Sequence, residues 1–196
     1  MKKTIIIASH NANKIREFRL LFKNTPYTIL SLADINYHED IIEDGATFQD
    51  NALIKAKTIY AKTNIPVIAD DSGLIVNALG DFPGVQSARF MAEHTYSEKN
   101  AAINEMLLNH SDKSAKFVCA IALVGLERFP QVFMGEAKGL IINEERGSNG
   151  FGYDPIFFYP DYQKTFAELS AEEKDAVSHR GIATRNLLTY LHEHHF

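Results

Sequence analysis

Two aspartates stand side by side in IADDSGLIVNALGDFPGVQSARF, residues 68–90, after a short apolar run and before Ser72 and Gly73. Adjacent carboxylates repel each other and lose hydration when covered, so a chain accepts them most readily where a cation offsets their charge. A divalent metal holding something anionic is the chemistry this pair points to. Strand alternation sends Asp70 and Asp71 to opposite faces, leaving one for a ligand while the other caps a turn or pairs with a basic residue. Glu43 and Asp44, in the acidic loop NYHEDIIEDGA, supply further carboxylates. So sparse a supply suits Mg²⁺, which takes one or two carboxylates and completes its shell with water and phosphate oxygens. The competing reading is an Asx-turn that simply ends the strand.

Three other stretches concentrate polar chemistry. In SHNANK, residues 9–14, Ser9 and Asn11 offer hydrogen bonds beside Lys14 at a helix start, a place that attracts anions. An ordinary N-cap with a solvated lysine reads the same residues equally well, and the segment lacks the glycines of a Walker A loop. In GSNGFGYDPIFF, residues 147–158, Phe151 lies between Gly150 and Gly152. That pattern suits a backbone approaching a ligand closely, with the ring stacked on a flat base. The alternative is a hairpin loop whose Phe folds onto the core. In KDAVSHRG, residues 174–181, Lys174, His179 and Arg180 surround a helix start at Ser178. Cations there oppose the helix dipole, which a bound anion would explain and a solvated surface would not need to. HEHH at the C-terminus has imperfect metal spacing and is assigned no role.

The elements that must position these groups alternate. KTIIIA is a strand and NANKIREFRLLFK a helix; YTILSL is a second strand. Thr47 and Asp50 have capping-box spacing and open the helix FQDNALIKAKTIYAK. VIA precedes the acidic pair, LIV at 74–76 reads as a partner strand, and Ser97 as the N-cap of EKNAAINEMLLNH. KFVCAIALVGL and QVFMGEAKGLII form a hairpin, IFFY is a further strand, and Ser170 with Glu173 makes another capping box before the final helix. The expected fold is α/β with a mixed sheet in a single domain over residues 1–196. At 196 residues, 45% hydrophobic and net charge −5, the chain has ordinary soluble composition and no pull toward duplex nucleic acid. No stretch approaches a bilayer span or a signal peptide, so no membrane partner and a cytoplasmic location are expected. The single Cys119 rules out an internal disulfide and reads as a core residue.

Taken in series, IIIASHNANKIREF, TFQDNALIKAK, IADDSGLIV, FPGVQSARF, GFGYDPIF and KDAVSHRG resemble the inosine triphosphate pyrophosphatase family, the dITP/XTP pyrophosphatases of non-standard purine nucleotides. The resemblance covers nearly the whole chain. It implies an elongated mixed α/β fold with flanking helices, two lobes around a substrate cleft, and a homodimer. It also implies Mg²⁺-dependent hydrolysis of ITP, dITP or XTP to the monophosphate and pyrophosphate, cleansing the nucleotide pool. Carried over by position, Ser9, His10, Asn11, Ala12, Asn13 and Lys14 match the phosphate-side segment, although the family fills the His10 position variably. Asp71 matches the proton acceptor and a metal ligand, with Glu43 the second ligand and Asp44 its competitor in register. Ser72 falls in the substrate site. Phe151, Gly152, Tyr153 and Asp154 match the nucleotide loop, and Lys174, His179 and Arg180 the remaining substrate contacts. A non-catalytic nucleotide-binding module, a pyrophosphatase for other nucleotides and a phosphoryl transferase are the competing classes.

Overall fold

The computed structural model describes residues 3–196 and has the mixed α/β architecture expected. Seven strands form one sheet in the order β2-β1-β3-β4-β5-β6-β7. They are β1 Lys3–Ile7, β2 Tyr27–Ser31, β3 Val67–Val76, β4 Ser114–Val124, β5 Gln131–Ile141, β6 Phe157–Tyr159 and β7 Lys164–Thr165. Five helices accompany them among the described residues: α1 Ala12–Leu21, α2 Phe48–Thr63, α3 Tyr96–Met106, α4 Ala171–Val177 and α5 His179–Glu193. β1 runs parallel to both β2 and β3, whereas β6 is antiparallel to β5 and β7. Ile141 N–H donates to Lys113 O, so the end of β5 lies beside the start of β4 as the expected hairpin requires. No helix of the described residues is long and apolar enough to cross a membrane.

The chain divides into two compact units. The first takes the chain up to Asp71, Cys119–Gly135 and Arg180–Phe196. Its core joins the β-branched run of β1 (Ile5, Ile7) to Phe18 of α1, Ile68 of β3, Ile121 of β4 and Leu187 of α5. The second takes Ser72–Val118 and Glu136–His179. Its core is aromatic: Phe117 packs 4.6 Å from Phe157 and 5.7 Å from Phe166 between ring centroids.

Local chemistry accounts for the element boundaries. α2 starts at the Thr47–Asp50 capping box and ends where Asn64 takes the left-handed conformation. α4 starts at the Ser170–Glu173 box. Two expectations need correction. α3 is capped by Thr95, not Ser97, because Glu98 stands three residues beyond Thr95 and completes the reciprocal box there. LIV at 74–76 is not a partner strand, and no turn follows the acidic pair: β3 runs unbroken from Val67 to Val76 through Asp70, Asp71, Ser72 and Gly73. Gly73 belongs there because a Cβ would meet Ser87 Oγ at 2.3 Å and Gly84 O at 2.5 Å. The bare backbone lets the residue 84–87 turn pack against the strand, where Leu74 N–H donates to Ser87 Oγ at 2.9 Å.

Candidate active site

In the first unit, the two aspartates of β3 meet different surroundings. Asp70 is fully buried, with Oδ2 3.0 Å from Lys14 Nζ and 3.0 Å from Arg180 Nη2. Burial opposes its ionisation, but the charges of Lys14, Arg180 and Lys55 overcome that and hold the carboxyl well below the usual range. Arg180, itself 2% exposed, turns its other guanidinium arm to Glu17 at 2.6 Å. The structure therefore sets Arg180 on two carboxylates of its own unit, a use its expected substrate contact does not describe. The cation invoked to offset the acidic pair is, for Asp70, built from side chains.

Asp71 is 9% exposed and accepts from Asn51 Nδ2 at 2.9 Å. Burial pushes its carboxyl above the ordinary value; Lys55, Lys14 and the Asn51 amide pull the other way, and the negative charge of Glu43 adds to the push. Glu43 is held by Lys55 Nζ at 2.8 Å, and the same ammonium donates to Asp70 O at 2.7 Å. Asp44, its competitor, is exposed. Asp71 and Glu43 offer hard oxygen donors in small number, and no group of three or more His, Cys, Asp or Glu that could hold a metal occurs among the described residues. That donor set fits Mg²⁺ completed by phosphate oxygens and water better than an all-protein cage.

The 9–14 segment is first of all an N-cap. Asn11 Oδ1 accepts from the N–H groups of Asn13 and Lys14, at 3.0 and 3.2 Å, and Ser9 Oγ accepts from Asn11 N–H at 3.2 Å. Asn13 Oδ1 takes Arg16 Nη2 at 3.2 Å, and Ala12 is exposed. His10 lies beside Tyr37, with Nε2 3.1 Å from Glu39 O.

The second unit holds the remaining expected residues. Phe151 is half-buried, with Lys174 Nζ 5.0 Å from its ring centroid. Asp154, 2% exposed, accepts Phe151 N–H at 2.8 Å and pairs with Lys174 Nζ at 2.7 Å. Gly150 and Gly152 have φ of +72° and +73°, and a Cβ on Gly150 would strike Asp154 Oδ2 at 2.1 Å. Both glycines are thus required by the loop's own geometry. Tyr153 is a core residue whose hydroxyl donates to Ser87 O at 2.8 Å, so it anchors the loop. Its neighbour Tyr96 packs edge-on at 5.5 Å. His179 stacks on Phe117 at 4.8 Å, and Ser72 is half-buried on β3.

Asn51, Lys55 and Glu17 were not singled out from the sequence. The first two had a signal: the buried stripe of α2 is Phe48, Asn51, Ala52, Lys55, Ala56 and Ile59, and two polar residues at core spacing demand polar partners.

A sequence profile of the Ham1 family matches residues 5–190. The chain is 44% identical over 196 residues to the dITP/XTP pyrophosphatase of Bacillus licheniformis, covering 96% of this chain and 98% of that protein. The Staphylococcus aureus Ham1 protein superposes with a TM-score of 0.88 at 38% identity, covering 98% of this chain and 100% of that one. The HAM1 protein from Coxiella burnetii superposes with a TM-score of 0.89 at 41% identity, over 97% and 99% of the two chains.

Proposed function

Because the chain belongs to the Ham1 family, we propose that it hydrolyses non-standard purine nucleoside triphosphates (ITP, dITP, XTP) to the monophosphate and pyrophosphate. The names of its relatives supply the substrate class. The observation in this chain that carries the reading is Asp71: a nearly buried carboxylate of raised proton affinity, bonded to Asn51 and facing the charges of Glu43 and two lysines. In this reading Asp71 is the group that takes a proton during attack by water.

In this reading the oxygen of water bonds to the α-phosphorus. The bond from that phosphorus to the α–β bridging oxygen breaks, pyrophosphate departs, and the water proton passes to Asp71. Asp71 and Glu43 are the residues that would hold Mg²⁺, which when bound supplies positive charge to the phosphate oxygens. Ser9 to Lys14 serve the polyphosphate, Lys14 exchanging part of its hold on Asp70 for phosphate oxygen. Phe151 stacks on the base, Asp154 and Lys174 fix its loop, Ser72 and His179 complete the contacts, and Arg180 supports the site through Asp70 and Glu17. Donors at the base edge favour a 6-keto purine, because a 6-amino group would set donor against donor. The family resemblance supports a homodimer working in the cytoplasm.

The test is steady-state kinetics on ITP, XTP, ATP and GTP with Mg²⁺, with products identified by chromatography. IMP and pyrophosphate from ITP, with ATP a poor substrate, is the expected result. IDP and orthophosphate would mean cleavage at the other anhydride and overturn the proposal.

A further inference from the structure

Asn51 sits on the buried stripe of α2 and is 1% exposed. An amide so covered must be hydrogen-bonded at both ends or it costs stability. Its Nδ2 donates to Asp71 Oδ2 at 2.9 Å, and its Oδ1 accepts Gly45 N–H at 2.8 Å. Gly45 lies two residues beyond Glu43, in the acidic loop. The approach of that loop is close: a Cβ on Gly45 would come within 2.7 Å of Asn51 Oδ1 and 2.6 Å of Asp50 Cβ. One turn along α2, Lys55 holds Glu43 at 2.8 Å.

The two bonds fix the sense of the amide. A carboxylate accepts only, and a backbone N–H donates only, so reversing the amide would set like against like at both ends. Aspartate in place of Asn51 would face Asp71 with a second negative oxygen. Asparagine is the residue that satisfies both neighbours at this spacing.

We propose that Asn51 is a positioning residue: its one side chain sets the orientation of the Asp71 carboxylate and the approach of the Glu43 loop together. This rests on the reading of Asp71 and Glu43 given above. A change at Asn51 therefore disturbs both metal-holding groups at once, and a change at Gly45 disturbs the same arrangement from the loop side.

The experiment measures Mn²⁺ binding by electron paramagnetic resonance without nucleotide, kcat and KM for ITP with Mg²⁺, and melting in EDTA. It compares wild type, Asn51→Ala, Gly45→Ala and Ala52→Gly. Removing a hydrogen-bond partner of a metal ligand weakens metal affinity or activity by about 10–100-fold. That loss is expected in Mn²⁺ affinity and kcat for folded Asn51→Ala and for Gly45→Ala, with KM for ITP changed far less. Ala52→Gly perturbs the same helix face and should lower melting without weakening Mn²⁺ binding. Asn51→Ala folded, with Mn²⁺ affinity and kcat within about twofold of wild type, overturns the inference. If Asn51→Ala does not fold, Gly45→Ala decides by the same criterion. Equal Mn²⁺ losses in Ala52→Gly would reduce Asn51 to a packing role. A wild type that neither binds Mn²⁺ nor releases pyrophosphate overturns the proposed function, and this inference with it.

Discussion

Asp70 and Asp71 are covalent neighbours on one strand whose proton affinities are driven in opposite directions. Lys14, Arg180 and Lys55 overcome burial at Asp70 and hold its proton affinity down, while burial at Asp71 prevails over weaker cationic help and raises it. Pairs of titratable groups pushed apart in this way mark out distinct roles. Asp70 is the member that stays charged at neutral pH and organises basic side chains, and Asp71 the member proposed to accept a proton.

Asp70→Asn should be costly for stability and its cost should depend on pH. The folded pKa lies below the unfolded value of about 3.9, so the native state holds fewer protons there. The contribution is present in full above about pH 4 and is lost as pH falls through the folded value. Removing one partner of a buried ion pair costs about 3–5 kcal/mol, which is the loss expected at pH 7. Urea unfolding in EDTA should show the gap to wild type narrowing as the pH drops below about 4. A gap independent of pH would contradict the assignment.

Asp71→Asn has the opposite sign. A folded pKa above the unfolded one means that ionising Asp71 costs stability as pH rises past the unfolded value. The variant should melt at or above the wild-type temperature at pH 7 in EDTA, since the oxygen of the new amide can still accept from Asn51. Turnover should fall by about 10²–10⁴-fold, the scale of a general base. Retained turnover would remove Asp71 from the chemistry.

Arg180→Lys separates support from substrate contact. The guanidinium reaches Asp70 and Glu17 at once, and an ammonium cannot reproduce that fork. The ligand-free melting temperature should drop clearly while KM for ITP moves little. A large rise in KM with unchanged melting would put Arg180 on the nucleotide instead.

Phe151→Ala should weaken IMP binding by about 1–3 kcal/mol, the range for base–aromatic stacking. Melting should change little, because the ring is half-buried and lies outside the apolar core. Calorimetric titration with IMP beside ligand-free melting checks both halves. Lost melting with unchanged affinity would make Phe151 structural.

Local signals are legible in the sequence wherever local chemistry decides the outcome. Thr47 with Asp50, and Ser170 with Glu173, announce their helices because each box closes within three residues. Thr95 is obscured because Ser97 offers a competing cap two positions on. The burial of a charged Asp70 inside β3 is not legible, because its partner Arg180 stands 110 residues away. The 147–154 loop is recognisable from its glycines, yet the inward anchoring of Tyr153 depends on Ser87, which nothing nearby in the chain specifies.

Ser87 also limits how this sequence can change. Its hydroxyl takes Leu74 N–H, its carbonyl takes the Tyr153 hydroxyl, and its closeness to β3 is possible only beside Gly73. These residues form a single unit of mutational tolerance. Alanine in place of Ser87 strands a buried strand amide, phenylalanine in place of Tyr153 leaves a carbonyl unanswered, and any side chain in place of Gly73 evicts the turn that carries Ser87. A saturation library selected for folding should therefore be depleted at positions 73, 87 and 153 in concert, and gains at one of them should surface only alongside a change at another.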